Sequence, residues 1–187
     1  MRKGLLTKSL AAAVLVAFTT GMVIQDDLYL SPGSEAPDFE VKATDGESYS
    51  LKNLTEKAPV FLVFWKDPCG HNPRATPLFN RMKEAYGDKV TLLGVVNLEV
   101  DGASGWAERF GFKYPVLEDG DRELIGAYEV VKSVCTFQIG TDGKITKVFE
   151  GYGRDEITSL NKALAEVAGV DATEIDMAGA PQRQTWG

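Results

Sequence analysis

Two long apolar runs with a helical pattern between them organise the middle of the chain. Ala58 to Trp65 and Lys89 to Asn97 have the length and the β-branched and aromatic content of strands buried on both faces. Between them, apolar side chains recur at helical spacing from Pro73 to Tyr86, and proline is tolerated in the first turn of a helix. The pattern predicts a right-handed crossover between two parallel strands.

Shorter patterns flank this crossover on both sides. An Asp-Gly turn joins two segments within Asp38–Leu51, and another joins two more within Val134–Tyr152, so each pattern predicts a β-hairpin. Together with the elements listed next, they indicate an α/β domain with a mixed sheet covered on both faces, whose active groups tend to lie beyond the carboxyl ends of the strands. The further predicted elements are helices over Gly105–Phe110, Arg122–Tyr128 and Arg154–Ala168 and a brief strand within Tyr114–Asp119.

The first 24 residues have a different pattern. Arg2, Lys3 and Lys8 precede an uncharged, largely apolar run from Ser9 to Ile24. This is typical of a secretory signal peptide or of an uncleaved membrane anchor, and the run is shorter than the roughly 20 residues that a spanning helix prefers. An amphipathic helix is the remaining alternative, although the run shows no polar face. Either targeted interpretation predicts an extracytoplasmic protein, periplasmic or secreted, with residues 9–24 as the anchor if it stays in the membrane.

The rest of the chain divides into three parts. Residues 25–32 carry proline and glycine next to charges and are interpreted as a linker, and residues 33–168 as the domain. Residues 169–187, which include Pro181, Gln182 and Gln184, are expected to form a loosely ordered tail.

Composition and charge narrow the range of functions. The 187 residues are 44% hydrophobic and 25% charged, as in ordinary globular proteins, and 20 basic against 27 acidic side chains give a net charge of −7. That balance argues against a nucleic-acid partner. With one histidine and two cysteines, the sequence offers no ligand set for a structural zinc or multi-histidine site, and we expect neither metal nor cofactor.

The candidate chemistry lies in FWKDPCGHNPRATP, residues 64–77, where the first apolar run meets the predicted helix. Cys69 falls at the start of that helix. Unpaired backbone N–H groups and the helix dipole favour an anion there, so the position suits a nucleophilic thiolate. Arg74 would add positive charge. Cys69 is therefore the candidate catalytic residue.

Several longer sequence segments indicate a family. GSEAPDFEVKATDGESYSLKNL, VFLVFWKDPCGHNPRATP and RFGFKYPVLEDGDRELIGAYEVVKSVCTFQIGTDGKI follow one another in this order. Over about Gly33 to Ala168 the chain resembles the thioredoxin-like redoxins, especially the branch of extracytoplasmic thiol-disulfide oxidoreductases and AhpC/TSA peroxiredoxin-like proteins. The resemblance implies a thioredoxin-like α/β fold, a central mixed sheet flanked by helices with an N-terminal β-hairpin extension, and thiol redox chemistry at Cys69.

The chain departs from this family at two functional positions. Oxidoreductases of the family carry a Trp-Cys-x-x-Cys motif, whereas here Pro68 precedes Cys69 and Asn72 stands where the second cysteine would be. The family's proline beside the active site, usually in the cis form, is Val134 here. The resemblance thus implies that the usual dithiol cycle cannot run.

Two of the supporting residues allow two interpretations each. His71 either polarises the thiol and carries a proton or fills a variable position between the two cysteine sites. Asn72 either steadies a thiolate or a bound peroxide or replaces the resolving thiol as a hydrogen-bonding helix residue. Pro68, Arg74 and Val134 complete the set of predicted supporting residues.

Cys135 is the second candidate catalytic residue. The resemblance places it beside the loop that packs against the active-site helix, so it could resolve Cys69 or form a structural disulfide with it. The alternative is a buried residue that packs as a small hydrophobe. Because neighbouring strand residues point to opposite faces, an error of one position would reverse the conclusion.

Two functions remain open on the sequence. In the first, the protein is an oxidoreductase, either a thiol-disulfide oxidoreductase or a peroxiredoxin-like antioxidant. Its partners would be a thiol- or disulfide-bearing protein or a small peroxide, together with an external thiol reductant. Peroxide chemistry is disfavoured because Lys66 stands where the family's peroxidases have threonine or serine. In the second, the protein is a non-catalytic thioredoxin-fold binding or assembly module that has lost this chemistry.

Overall fold

The computed structural model describes residues 29–187 of the chain. The predicted signal peptide or anchor, residues 1–24, lies outside the described residues. Among residues 29–187, no helix has the length and apolar character needed to cross a membrane.

Two sheets organise the described part of the chain. The first two strands form a separate antiparallel hairpin, and the other five form one sheet in the order β5-β4-β3-β6-β7. In chain order, the elements are β1 (Glu40–Lys42), β2 (Ser48–Ser50), α1 (Leu51–Thr55), β3 (Val60–Trp65), α2 (Asn72–Tyr86), β4 (Thr91–Val96), α3 (Val100–Phe110), β5 (Val116–Glu118), α4 (Glu123–Ala127), β6 (Cys135–Ile139), β7 (Ile145–Glu150) and α5 (Arg154–Ala168).

The large sheet is mixed, as predicted. β3 runs parallel to β4, β4 runs parallel to β5, and β6 is antiparallel to both β3 and β7. The predicted parallel pairing across the first crossover, the α/β class and the N-terminal hairpin are all confirmed.

β3 is the central strand, and all six of its residues are buried. Phe61, Val63 and Trp65 pack in the layer of α2, α3 and α5. The alternate residues Val60, Leu62 and Phe64 pack in the opposite layer, together with residues of α1 and α4. A strand covered on both faces must be apolar on both, which explains its continuous apolar run.

The sequence pattern was wrong about one helix start and missed two short elements. α3 begins at Val100, not at the predicted Gly105, because Gly102 and Gly105 interrupt an apolar face that the tertiary fold nevertheless completes. Its predicted end at Phe110 is confirmed, with Gly111 in the left-handed conformation. Neither α1 nor the 3-10 turn Gly87–Lys89 is long enough to display helical periodicity.

The segment predicted as a loosely ordered tail, residues 169–187, contains no helix or strand, and it runs along α2. The Arg81 guanidinium donates hydrogen bonds to the carbonyl oxygens of Asp176 and Ala178 at 2.7 and 3.0 Å. The backbone N–H of Arg154 donates to the carbonyl oxygen of Pro181 at 2.9 Å. These contacts hold residues 169–187 along a path from the end of α5 towards the carboxyl end of β3.

Gly94 provides a test of the packing between β4 and β5. A Cβ at this buried position would lie 3.1 Å from the nearest methyl of Val116. We expect Gly94→Val to lower the free energy of unfolding by about 1–3 kcal/mol, because it overpacks the sheet. Gly105→Ala is the control: its site in α3 is exposed and open, so alanine should raise the free energy by about 0.5–1 kcal/mol. Urea unfolding midpoints measure both, and equal midpoints for the two variants would contradict this account.

Candidate active site around Cys69

Cys69 lies in the loop between β3 and α2 and is partly exposed. The backbone N–H of His71 points at its sulfur, with 3.4 Å between N and Sγ. His71 caps α2, whose first residues, Asn72 and Pro73, follow directly. An N–H group aimed at sulfur from the start of a 15-residue helix stabilises a thiolate.

Asn97 holds the beginning of this loop. Its side-chain oxygen accepts a hydrogen bond from the N–H of Asp67 at 2.7 Å, and its amide nitrogen donates to the carbonyl oxygen of Asp67 at 2.8 Å. The Arg109 guanidinium lies 3.5 Å from the Asp67 carboxylate, and the Asp67–Pro68 peptide bond is cis. The sequence analysis missed Asn97, although its position directly after β4, beside the carboxyl end of β3, was an available signal.

His71 forms a hydrogen bond with a tyrosine that the sequence analysis also missed. Its Nδ1 lies 2.7 Å from the hydroxyl oxygen of Tyr152, and the two rings meet edge to face. The donor depends on which imidazole nitrogen carries the proton. Burial raises the pKa of the Tyr152 phenol, the Arg74 charge opposes this, and a negative charge on Cys69 adds to it. Tyr152 is thus close enough to the sulfur to interact with its charge.

Asn72 occupies the position of the missing second cysteine. Its side chain is fully buried, and its amide nitrogen donates to the carbonyl oxygen of Lys66 at 3.0 Å. The side-chain oxygen, also buried, has no hydrogen-bond partner among the described residues. Asn72 therefore ties the end of β3 to the first turn of α2.

Cys135 lies in the layer opposite α2. It is the first residue of β6, pairs with Phe64 of β3, and is only 1% exposed. Its side chain packs with Phe64 and Phe137, and both cysteines are free thiols in the structure. Burial raises the pKa of the Cys135 thiol well above its ordinary value, and the negative charge of Glu150 adds to this effect.

The segment before β6 borders Cys69 from the other side. The Ser133–Val134 peptide bond is cis, and Val134 is buried in the same layer as α2. A Cβ built on Gly187 would touch both the Cys69 sulfur and the Ser133 hydroxyl, so these two residues are close neighbours. Gly151 donates its N–H to the Val134 carbonyl oxygen at 2.7 Å, which joins this segment to the start of α5.

Basic side chains lie next to Ser133 and in the first turn of α2. Lys66, Arg122 and Lys132 border a cavity of about 180 Å³ beside Ser133. Arg74, in the first turn of α2, is exposed and lies close enough to lower the Tyr152 pKa. Positive charge on this side of the site attracts an anionic group that approaches it.

Known proteins resemble this chain in sequence and in fold. The model of the AhpC/TSA family matches residues 32–148. The thiol-disulfide oxidoreductase ResA of Bacillus subtilis is 32% identical over 124 residues, which cover 65% of this chain and 69% of that protein.

Solved structures show the same fold. The thioredoxin domain of a thiol-disulfide oxidoreductase from Bacteroides vulgatus superposes with a TM-score of 0.61 at 23% identity, covering 72% of this chain and 99% of that one. The peroxidoxin BcpB of Mycobacterium tuberculosis gives 0.59 at 22% identity, covering 74% and 97%. The extent of the family match and the thioredoxin-like architecture lead to one conclusion: the chain belongs to the AhpC/TSA family of thioredoxin-like redoxins.

Proposed function

We propose that this protein is an extracytoplasmic thiol-disulfide oxidoreductase that works through one cysteine, Cys69. The observation that carries the proposal is the position of Cys69, a partly exposed residue at the start of α2, with the His71 N–H directed at its sulfur at 3.4 Å. The relative from Bacillus subtilis, itself a thiol-disulfide oxidoreductase, supports the reaction class. The basic and apolar pattern of residues 1–24 supports the location.

The reaction begins when the Cys69 thiolate attacks one sulfur of a substrate disulfide. The substrate S–S bond breaks, a mixed disulfide with Cys69 forms, and the other substrate sulfur leaves as a thiolate that takes up a proton. A first external thiol attacks the Cys69 sulfur and releases the second substrate thiol. A second external thiol then frees Cys69, so two external thiols become one disulfide and supply the two electrons.

An external thiol is needed because Cys135 is poorly placed to resolve Cys69. Its side chain faces the layer opposite α2 and is enclosed by aromatic rings. Burial raises the pKa of its thiol, so at neutral pH it stays protonated, and a protonated thiol is a poor nucleophile. We assign Cys135 to packing.

His71 and Tyr152 are assigned to proton handling at the sulfur. The 2.7 Å hydrogen bond holds the imidazole two residues from the nucleophile, and imidazole is the commonest proton carrier in acid-base catalysis. The raised pKa of Tyr152 keeps the phenol protonated, so it remains available as a hydrogen-bond partner. The pair can thus deliver a proton to the leaving thiolate.

Substitution of the two cysteines separates their roles. With an aromatic disulfide that releases a coloured thiolate, we expect the native protein to react at Cys69 and Cys69→Ser to react slower by roughly 100-fold, because the remaining thiol is buried. Cys135→Ser should keep the native rate within about twofold, since only a packing residue changes. Stopped-flow absorbance gives the rates, and mass spectrometry locates the adduct. A native adduct on Cys135, or equal rates in the two variants, would refute the assignment and favour a non-catalytic module.

Removal of one hydroxyl tests the His71–Tyr152 pair. Tyr152→Phe should lower the rate of mixed-disulfide formation at Cys69 by roughly fivefold, which corresponds to a hydrogen bond of about 1 kcal/mol. Tyr114→Phe is the matched control, because Tyr114 is also buried but its hydroxyl interacts with Trp65 and not with His71. Rates measured from acid to alkaline pH should differ from the native profile for Tyr152→Phe alone. Overlapping profiles for all three proteins would remove the pair from the mechanism.

A further inference from the structure

The last residues of the sequence lie against the active site. The N–H of Gly187 donates to the carbonyl oxygen of Ser133, and the N–H of Ser133 donates back to the carbonyl oxygen of Gly187 at 3.3 Å. Two residues that exchange both hydrogen bonds in this way have the pairing of opposed residues in antiparallel strands. The backbone beside Cys69 therefore already pairs with a peptide segment, and that segment belongs to the same chain.

The pairing continues away from Cys69. The N–H of Tyr152 donates to the carbonyl oxygen of Thr185 at 3.2 Å. The side-chain amide of Gln184 donates to the backbone carbonyl oxygen of Glu150 at 3.1 Å. Residues 181–187 thus follow the backbone that connects β7 to α5, which gives the segment a defined path.

Two glycines make room for this path. A Cβ at Gly151 would lie 2.5 Å from the carbonyl oxygen of Thr185, and one at Gly153 would lie 2.7 Å from the carbonyl oxygen of Arg183. Both distances are too short for any side chain, so the close approach of the tail depends on bare backbone at these two positions.

The end of the segment fits the sulfur itself. A Cβ on Gly187 would overlap Cys69 Sγ, so only glycine can occupy this place while the tail is in position. Trp186 is held at one side, with the ammonium nitrogen of Lys132 at 4.5 Å from the centre of its ring. If a bound peptide took the place of the tail, its residue at the position of Gly187 would direct its side chain at the Cys69 sulfur.

We propose that residues 181–187 are an internal pseudosubstrate, which occupies the backbone edge at Ser133 and has to leave before Cys69 can attack a disulfide within a polypeptide. The inference rests on the proposed thiol-disulfide activity and adds its regulation. Cys69 is partly exposed beside the tail, so we expect the tail to hinder a small disulfide less than a peptide. A peptide needs the Ser133 edge and competes with the tail for it.

Amide hydrogen exchange tests the position of the tail independently of any activity. In the full chain, the N–H groups of Ser133 and Tyr152 donate to the tail, so Gly187→Val should speed their exchange by roughly tenfold, because its side chain has no room in the docked position. The N–H of Gly151, whose partner lies outside the tail, is the internal control, and Gln182→Ala is the matched variant; both should keep the native exchange. Faster exchange at Ser133 and Tyr152 in Gly187→Val alone supports the docked tail. Equal exchange in the native protein and in Gly187→Val overturns it.

Displacement of the tail tests its effect on substrates. Gly187→Val should push the segment off Cys69, because its Cβ has no room beside the sulfur. If the tail covers the site for about 90% of the time, the rate with a disulfide-linked peptide should rise about tenfold. The rate with the small aromatic disulfide should change by less than about twofold, since the small reagent does not need the Ser133 edge. Gln182→Ala, an exposed change in the same segment, should leave both rates unaltered.

The outcomes separate the inference from the function beneath it. A native protein that reacts with the small disulfide, combined with an unchanged or lower peptide rate in Gly187→Val, overturns the pseudosubstrate alone. A Cys69 that reacts with neither disulfide in any variant refutes the oxidoreductase proposal, and with it the inhibitory role of the tail, even where the Ser133 and Tyr152 amides exchange faster in Gly187→Val. A peptide rate that rises only in Gly187→Val supports both.

Discussion

The burial of β3 on both faces is the constraint on which the site depends. A strand paired on both edges and covered by two layers cannot shift, so its carboxyl end is a fixed point. The loop that leaves this end is held by Asn97 from the neighbouring parallel strand and by Asn72 from the helix that follows. The end of β3, Asn97 and Asn72 together fix the position of Cys69.

The replacement of the second cysteine by asparagine changes the chemistry more than the structure. Asn72 fills a fully buried position in the first turn of α2 and donates an amide hydrogen bond to the Lys66 carbonyl oxygen at the start of the loop. A cysteine at this position would be reactive, but its thiol is a much weaker hydrogen-bond donor than the asparagine amide. The substitution thus keeps the loop closed onto the helix while leaving Cys69 as the one accessible thiol of the described chain.

Sequence patterns predicted those parts of the molecule that depend on local order. β3 and β4 are continuous apolar runs, and α2 has an apolar face of helical period, so both strands and the helix between them could be predicted. Tyr152 could not be assigned to the site, because it is 81 positions from His71 and only the tertiary fold brings them together. The face of the sheet to which Cys135 points changes with a shift of one residue in strand register. The sequence does not set this register, and only the pairing of Cys135 with Phe64 decides it.

The enclosure of Cys135 has a consequence for the oxidised protein. The sequence contains two cysteines, and one of them is sealed in the layer behind the sheet. A disulfide at Cys69 therefore joins this chain to a different molecule instead of closing a ring within it. If Cys69 acts as proposed, the oxidised form is a conjugate, whose size, charge and diffusion are set by the molecule that was captured. A protein of that kind would hold its partner until another thiol arrives, so that its redox state would equal its occupancy.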